Sequence, residues 1–176
     1  NLVRERLAYR HGILQERRFM TGTGAGQPMG LFVAHNDGIP TSRDVSSGNS
    51  TTAVGADGLI SAKFALKAQY RPRCRWLFHR DVVAQLTKLK DGQGQYLWRE
   101  GLVAGEPDRL LNMPIMESEY APNTMTTGQY VGMLADFSHY WIAESLQMEL
   151  QRLDEKYAEE NQVGFISRLE YDAMPV

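Results

Sequence analysis

Apolar residues recur at Val3, Leu7 and Leu14, with Arg4, Glu5, Glu16, Arg17 and Arg18 set between and after them. That spacing predicts a helix from about Leu2 to Arg18 with one narrow apolar stripe. Only Gly12 interrupts good helix formers. A helix so patterned lies on something flat and leaves its remaining circumference to water or to a neighbouring chain. Further along, Leu59, Ile60, Ala62, Phe64 and Leu66 against Lys63 and Lys67 predict a second helix from about Asp57 to Gln69, ended by Arg71-Pro72. A short alternating run, Cys74 to His79, predicts a strand, and Asp81 is placed to cap a third helix carrying Val82, Val83, Leu86 and Leu89 inward. Lys88 and Lys90 sit near that helix's C-terminal end, where cations suit the dipole.

The second half changes period. Strands are predicted at Gln95–Trp98, Leu110–Met116, Tyr130–Leu134 and His139–Ala143. Pro114 would confine its strand to an edge or a bulge. Leu146, Met148 and Leu150 alternate with Gln147, Glu149 and Gln151, a half-buried strand, and Val163–Tyr171 is the last. The class is α+β: two or three helices, then mostly antiparallel strands. Between helix and strands, Asp44–Thr52 is rich in Ser, Gly, Asn and Thr and predicts a surface loop or a linker between two lobes. Gly101–Asp108 is a second loop.

Composition narrows the class of function. The 176 residues carry a formal net charge of -2, with no basic excess of the kind dedicated nucleic-acid binders show. A single cysteine, Cys74, rules out an internal disulfide. No apolar run approaches the roughly 20 residues that span a bilayer, so no membrane partner is expected. There is no initiator Met, and the chain opens inside a helical pattern, so it is expected to be an ordered fragment of a longer protein.

The candidate chemistry centres on Phe19-Met20-Thr21-Gly22-Thr23-Gly24-Ala25-Gly26-Gln27-Pro28-Met29-Gly30-Leu31-Phe32. A phosphate loop needs a Lys and a Ser or Thr at the mouth of a helix, and here Gln27 and Pro28 follow Gly26. A dinucleotide fingerprint opens a helix, whereas these glycines close one. A structural turn built from Gly22, Gly24, Gly26, Pro28 and Gly30 is therefore expected over a nucleotide site. Cys74 alternates with Trp76 and Phe78, as packing cysteines do, and has no visible activating base. His11, His35, His79 and His139 never fall at metal-ligand spacings, so neither metal nor cofactor is expected. Glu117, Glu119, Asp136 and Glu144 form no evident acid–base pair. Arg71, Arg73, Arg75 and Arg80 interleave with Tyr70, Trp76 and Phe78. In isolation this resembles a nucleic-acid strip, but one charged strand face equally suits a partner's carboxylates. Subunit contacts through Arg71, Arg73 and Arg75, and through the acidic Asp154, Glu155 and Glu159, are the favoured expectation.

Five passages, in order, resemble the tailed-phage major capsid proteins of the HK97 family. They are the helix-to-glycine junction Phe19–Leu31; Trp76-Leu77-Phe78 with Leu89-Lys90-Asp91-Gly92-Gln93-Gly94-Gln95-Tyr96-Leu97; Leu111-Asn112-Met113-Pro114-Ile115; Ala135-Asp136-Phe137-Ser138-His139-Tyr140-Trp141-Ile142; and Phe165–Arg168 with Asp172. Asn112 and Ala135 stand where the family's pattern has glycine. The resemblance implies an HK97-like α+β fold with a spine helix. It implies a peripheral domain of Asn1–Ser47 and Glu144–Arg168, and an axial domain of Gly48–Ala143 and Leu169–Val176. It implies a non-enzymatic, self-assembling shell protein forming hexamers and pentamers of a phage or prophage head. Its implied partners are neighbouring copies, scaffold, portal or head-maturation protease, and DNA enclosed without sequence specificity. The implied locations are the virion and, during assembly, the bacterial host cytoplasm. Some members crosslink Lys to Asn beside a carboxylate. Here Asn161 lies near the expected Asn but Ile166 occupies the carboxylate's place, so no crosslinking is expected. The alternatives are an encapsulin-like compartment shell and, from a different class, a nucleotide-binding enzyme using the Gly22–Gly26 loop.

Overall fold

The computed structural model describes residues 2–46, 53–97, 109–126 and 128–176, the side chains of 147 and 158 excepted. The parts of the expected Asp44–Thr52 loop beyond residue 46, Trp98, and the Gly101–Asp108 loop lie outside the described residues. The chain forms two compact units, Asn1–Val33 with Tyr140–Val176, and Ala34–His139.

In the first unit, Leu2–Thr21 form α1, none of whose residues is buried. Its half-buried face is not the expected Val3–Leu7–Leu14 stripe. Leu7, His11, Gln15 and Phe19, four residues apart, are half-covered, while Val3 and Leu14 are exposed. His11 Nε2 lies 2.7 Å from Ser167 Oγ, so a polar contact anchors part of this face. Tyr140–Leu153 (β5) and Gly164–Pro175 (β6) pair antiparallel as a two-stranded sheet. The two strands expected at His139–Ala143 and Leu146–Leu150 are one, with register shifts between Glu144 and Leu146 and between Leu146 and Glu149. Leu146 and Met148 are half-buried but Leu150 is exposed, because two strands alone do not enclose a core.

In the second unit, Ala56–Ala65 form α2, Arg75–Phe78 β1, Arg80–Leu86 α3, Arg109–Leu110 β2, Met113–Glu117 β3 and Gly132–Ala135 β4. α2 ends four residues sooner than expected. Leu66 turns extended, and Arg71 Nε donates to Leu66 O at 3.1 Å, capping the freed helix end. The cap of α3 is His79, not Asp81: His79 Nδ1 accepts the Asp81 N–H at 3.0 Å. The sheet order is β2-β3-β1-β4. The pairs are mostly antiparallel, as expected; the exception is β1, which pairs parallel with β3, and α3 lies within the connection that a parallel pair requires. β3 is not an edge strand, since β2 and β1 flank it. Pro114 is tolerated because it faces Arg109 across the hairpin, one residue before pairing with β1 begins at Ile115. The strand expected at Gln95–Trp98 reduces to a single bridge, Lys90 to Tyr96, around a turn in which Asp91 Oδ1 accepts from the N–H groups of Gln93 and Gln95.

This unit has a core. Leu59, Cys74, Trp76, Phe78, Val82 and Leu86 are buried together with Leu110 and Met113. Trp76 stacks on Phe78 at 5.4 Å and satisfies its indole N–H on Leu110 O at 3.0 Å. β1 therefore does not alternate: Trp76, Leu77 and Phe78 are all buried and only Arg75 is exposed, as in a strand covered on both faces. The unit boundaries also differ from the expected domain boundaries. Residues 34–46 group with the second unit, where Tyr130 OH donates to Asp44 Oδ2. Leu169–Val176 continue β6 opposite Tyr140–Leu146 and so group with α1.

Candidate functional site

The glycine run folds as a closure onto α1. Gly22 N–H donates to Arg18 O at 2.8 Å, and Gly30 N–H to Gly22 O at 2.8 Å. Leu31 and Phe32 donate back to Phe19 O and Met20 O, each at 2.9 Å. The last carbonyls of α1 are thus satisfied by the returning chain. That return brings backbone against backbone: a Cβ at Gly22 would lie 2.2 Å from Pro28 O. Gly24 turns the chain at φ +78, where a Cβ-bearing residue is strained. Pro28 is fully buried. The N–H groups of residues 22, 29, 30, 31 and 32 already have backbone acceptors. A phosphate cradle needs such groups unengaged and aimed at one point.

The closure is locked onto the β5–β6 sheet. Met29 N–H donates to Ala173 O at 2.8 Å, and Tyr140 OH donates to Met29 O at 2.9 Å. Phe19 packs edge-on against Tyr140 and Tyr171, at 5.9 and 5.6 Å. Burial, with Asp172 and Tyr171 beside it, pushes the Tyr140 phenol up to about 12. Local patterning does not announce these aromatic locks, because they join residues far apart along the chain. A hollow of about 330 Å³ adjoins the turn, with Arg18, Gln27, Glu170 and Asp172 on its walls. Two carboxylates against one guanidinium do not make an anion site.

The remaining candidates separate. Cys74 is buried, and its Sγ lies 3.1 Å from Tyr70 O. Burial pushes its thiol up and the Asp136 carboxylate adds to this, the reverse of what a nucleophile needs. Among the described residues, no His, Cys, Asp or Glu group of three could hold a metal. His139 packs edge-on to Tyr70 at 6.3 Å, and His79 lies within 3.8 Å of Glu119. Asp136 accepts from the Ser138 hydroxyl at 2.7 Å and its N–H at 3.1 Å, which hold its carboxyl below the usual range.

Arg71–Arg73 form one 3-10 turn leading into β1, with Arg73 and Arg75 exposed and Arg71 lying 5.1 Å over the Phe64 ring. The strand does not present the row of basic side chains that alternation implied, because its last three residues are buried. Asp154, Glu155 and Glu159 are exposed between β5 and β6, with Asp154 bonded to Arg152 at 2.6 Å. What the sequence did not show is that Lys63 and Arg109 join Arg71 around a hollow of about 560 Å³. Their separation along the chain hides it.

No curated protein sequence matches the chain. Solved structures share its fold, two capsids among them. One is the capsid of an empty GTA particle computed with C5 symmetry, with TM-score 0.78 and 24% identity, matching 99% of this chain and 62% of that one. The other is the capsid of the native GTA particle computed with C5 symmetry, with TM-score 0.80 and 23% identity, matching 99% and 61%. The α+β fold expected as HK97-like is thus the fold of capsid proteins, and the chain spans about three fifths of their length. The model of the phage capsid family matches residues 1–176 in full, so the chain belongs to the phage capsid family.

Proposed function

We propose that this chain is the shell-forming part of a phage or prophage major capsid protein, assembling into hexamers and pentamers of an icosahedral head. The observation that carries the reading is the surface of the α1 unit. Leu2 and Tyr9 on α1 and Trp141 and Ile142 on β5 are between 52% and 68% exposed, in a chain of a capsid family. Apolar side chains so displayed on a helix and a thin sheet suit coverage by neighbours. The α1 unit would be the peripheral domain and the Ala34–His139 unit the axial one. Head-to-tail contacts that close into rings would supply the mechanism.

The role is structural, not enzymatic, a reading supported by the match to the phage capsid family and by the burial of the one thiol. DNA would be enclosed without sequence specificity, in keeping with the net charge of -2. Scaffold, portal and head-maturation protease are the further partners, with the virion as destination and the host cytoplasm as place of assembly. The encapsulin-like shell is less favoured, because the family match is to phage capsids.

Electron microscopy of the whole protein at rising concentration tests this. Rings or shells are the expected result, and monomers under every assembly condition would overturn it. Trp141→Ser with Ile142→Ser should abolish the rings while changing monomer stability by only about 0.5 kcal/mol, as exposed substitutions do.

A further inference from the structure

The α1 helix turns one face to its own sheet and another away from it. Leu7, His11, Gln15 and Phe19 make the half-covered face, with His11 against Ser167 of β6 and Phe19 against Tyr140 and Tyr171. At about 100° of rotation per residue, Arg6, Arg10 and Arg17 lie more than about 100° around the axis from the middle of that face. All three are exposed. No Asp or Glu stands three or four places from any of them, the spacing at which helix side chains pair. Among the described residues none of the three reaches a carboxylate. Arg6 and Arg10 are themselves four apart, so they repel each other. The exposed Leu2 and Tyr9 stand four places before and three places after Arg6. The stripe is thus basic, partly apolar and uncompensated within its own chain.

The turn that joins β5 to β6 has the opposite sign. Asp154 is held by Arg152 at 2.6 Å, and Lys156 Nζ lies 5.7 Å over the Tyr157 ring. Glu155, Glu159 and Glu160 are exposed, and among the described residues none of them pairs with a cation. Tyr157 builds this turn. Its carbonyl accepts the N–H groups of Glu160 and Gln162 at 3.2 and 3.1 Å. Its ring packs so closely on Gly164 that a Cβ there would lie 2.8 Å from it. The three free carboxylates therefore sit on a fixed backbone.

We infer that the Glu155–Glu159–Glu160 turn of one copy of this chain docks on the Arg6–Arg10–Arg17 stripe of a second copy. The inference rests on the capsid reading and names one contact that reading leaves open. The stripe faces away from the sheet that carries the turn, which leaves the two to meet between copies. Leu2 and Tyr9 beside the arginines favour a protein occupant, because Tyr and Arg are enriched at protein interfaces. A nucleic-acid footprint is instead a continuous basic patch. Two unlike patches make a heterologous contact, which closes into rings where the rotation allows, and opposite charges fix its register.

The test is charge reversal in the whole protein, followed by sedimentation velocity. Arg6→Glu with Arg10→Glu makes stripe and turn both acidic, and Glu155→Lys with Glu159→Lys makes both basic. Arg and Glu are similar helix formers, so the far-UV circular dichroism of the first variant should match the unmodified protein's. Each double variant should self-associate at least about tenfold more weakly than the unmodified protein. Combining all four substitutions in one chain should restore association, because every contact again joins opposite charges. That rescue also demonstrates that the substituted chains fold. The milder Arg6→Gln with Arg10→Gln should weaken association less than the reversal does. An unmodified protein that never associates defeats the capsid reading itself. Association untouched by the reversals, or not restored in the fourfold variant, overturns the docking and leaves the capsid reading standing. Duplex DNA binding lost in Arg6→Glu/Arg10→Glu with self-association intact would assign the stripe to polyanions and overturn the docking as well.

Discussion

The two units bury their apolar residues in opposite ways. The Ala34–His139 unit encloses a cluster running from Val54 to Met113, with Val82 and Leu86 at 0% exposure. The Asn1–Val33 and Tyr140–Val176 unit has a 20-residue helix with nothing buried and a hairpin with Trp141 at 65% exposure. Its buried residues gather where the glycine turn meets β6: Pro28, Leu31, Phe32 and Ala173. One unit is held by its own interior. The other is held by a knot of hydrogen bonds at one end and leaves its length exposed.

Substitutions should separate the two. Leu86→Ala removes a fully buried side chain from the enclosed core and should cost about 2–5 kcal/mol. Hydrogen exchange should show protection lost across β1 and α3 and retained in the β5–β6 ladder. Equal loss in both would mean that the units unfold as one. Gly24→Val places a β-branched residue at φ +78, with Met29 Cε 3.3 Å from the new Cβ. It should cost about 1–2 kcal/mol and open the Leu31 and Phe32 N–H groups, sparing the second unit. Tyr140→Phe deletes one hydrogen bond to Met29 O and should cost about 1 kcal/mol. It also carries a pH signature. The phenol is held at about 12 against an ordinary 10.0, so the fold favours its neutral form. That contribution is complete below pH 10 and is lost as pH rises from 10 towards 12. Denaturant midpoints of Tyr140→Phe and the parent should therefore converge over that interval.

The elements that local chemistry dictates were legible in the sequence. α1, α3 and the β6 strand follow from spacing, and the glycine turn from the order helix-then-glycine. What was not legible depended on partners far along the chain. Trp76, Leu77 and Phe78 are buried in succession because β3 and β4 both pair with β1, and nothing in Cys74–His79 announces the parallel neighbour. The helical stripe was misplaced for a related reason. His11 and Gln15 are polar, yet they sit on the half-covered face, with His11 beside Ser167 of β6. The basic hollow was half visible. Arg71 drew notice through its neighbours, whereas Lys63 and Arg109 join it only through folding.

The register shifts of the β5–β6 ladder bear on a hazard common to self-assembling chains. A long two-stranded ribbon offers two open edges, and open edges recruit further strands into unending fibres. Register shifts between Glu144 and Leu146 and between Leu146 and Glu149 interrupt the ladder between β5 and β6, and bulged strands twist away from flat stacking. Carboxylates at Glu144, Glu149 and Glu170 add charge on the same stretch. The ribbon is thereby a poor template for its own kind, so that on the proposed capsid reading side-chain surfaces, and not backbone, would decide which contacts form.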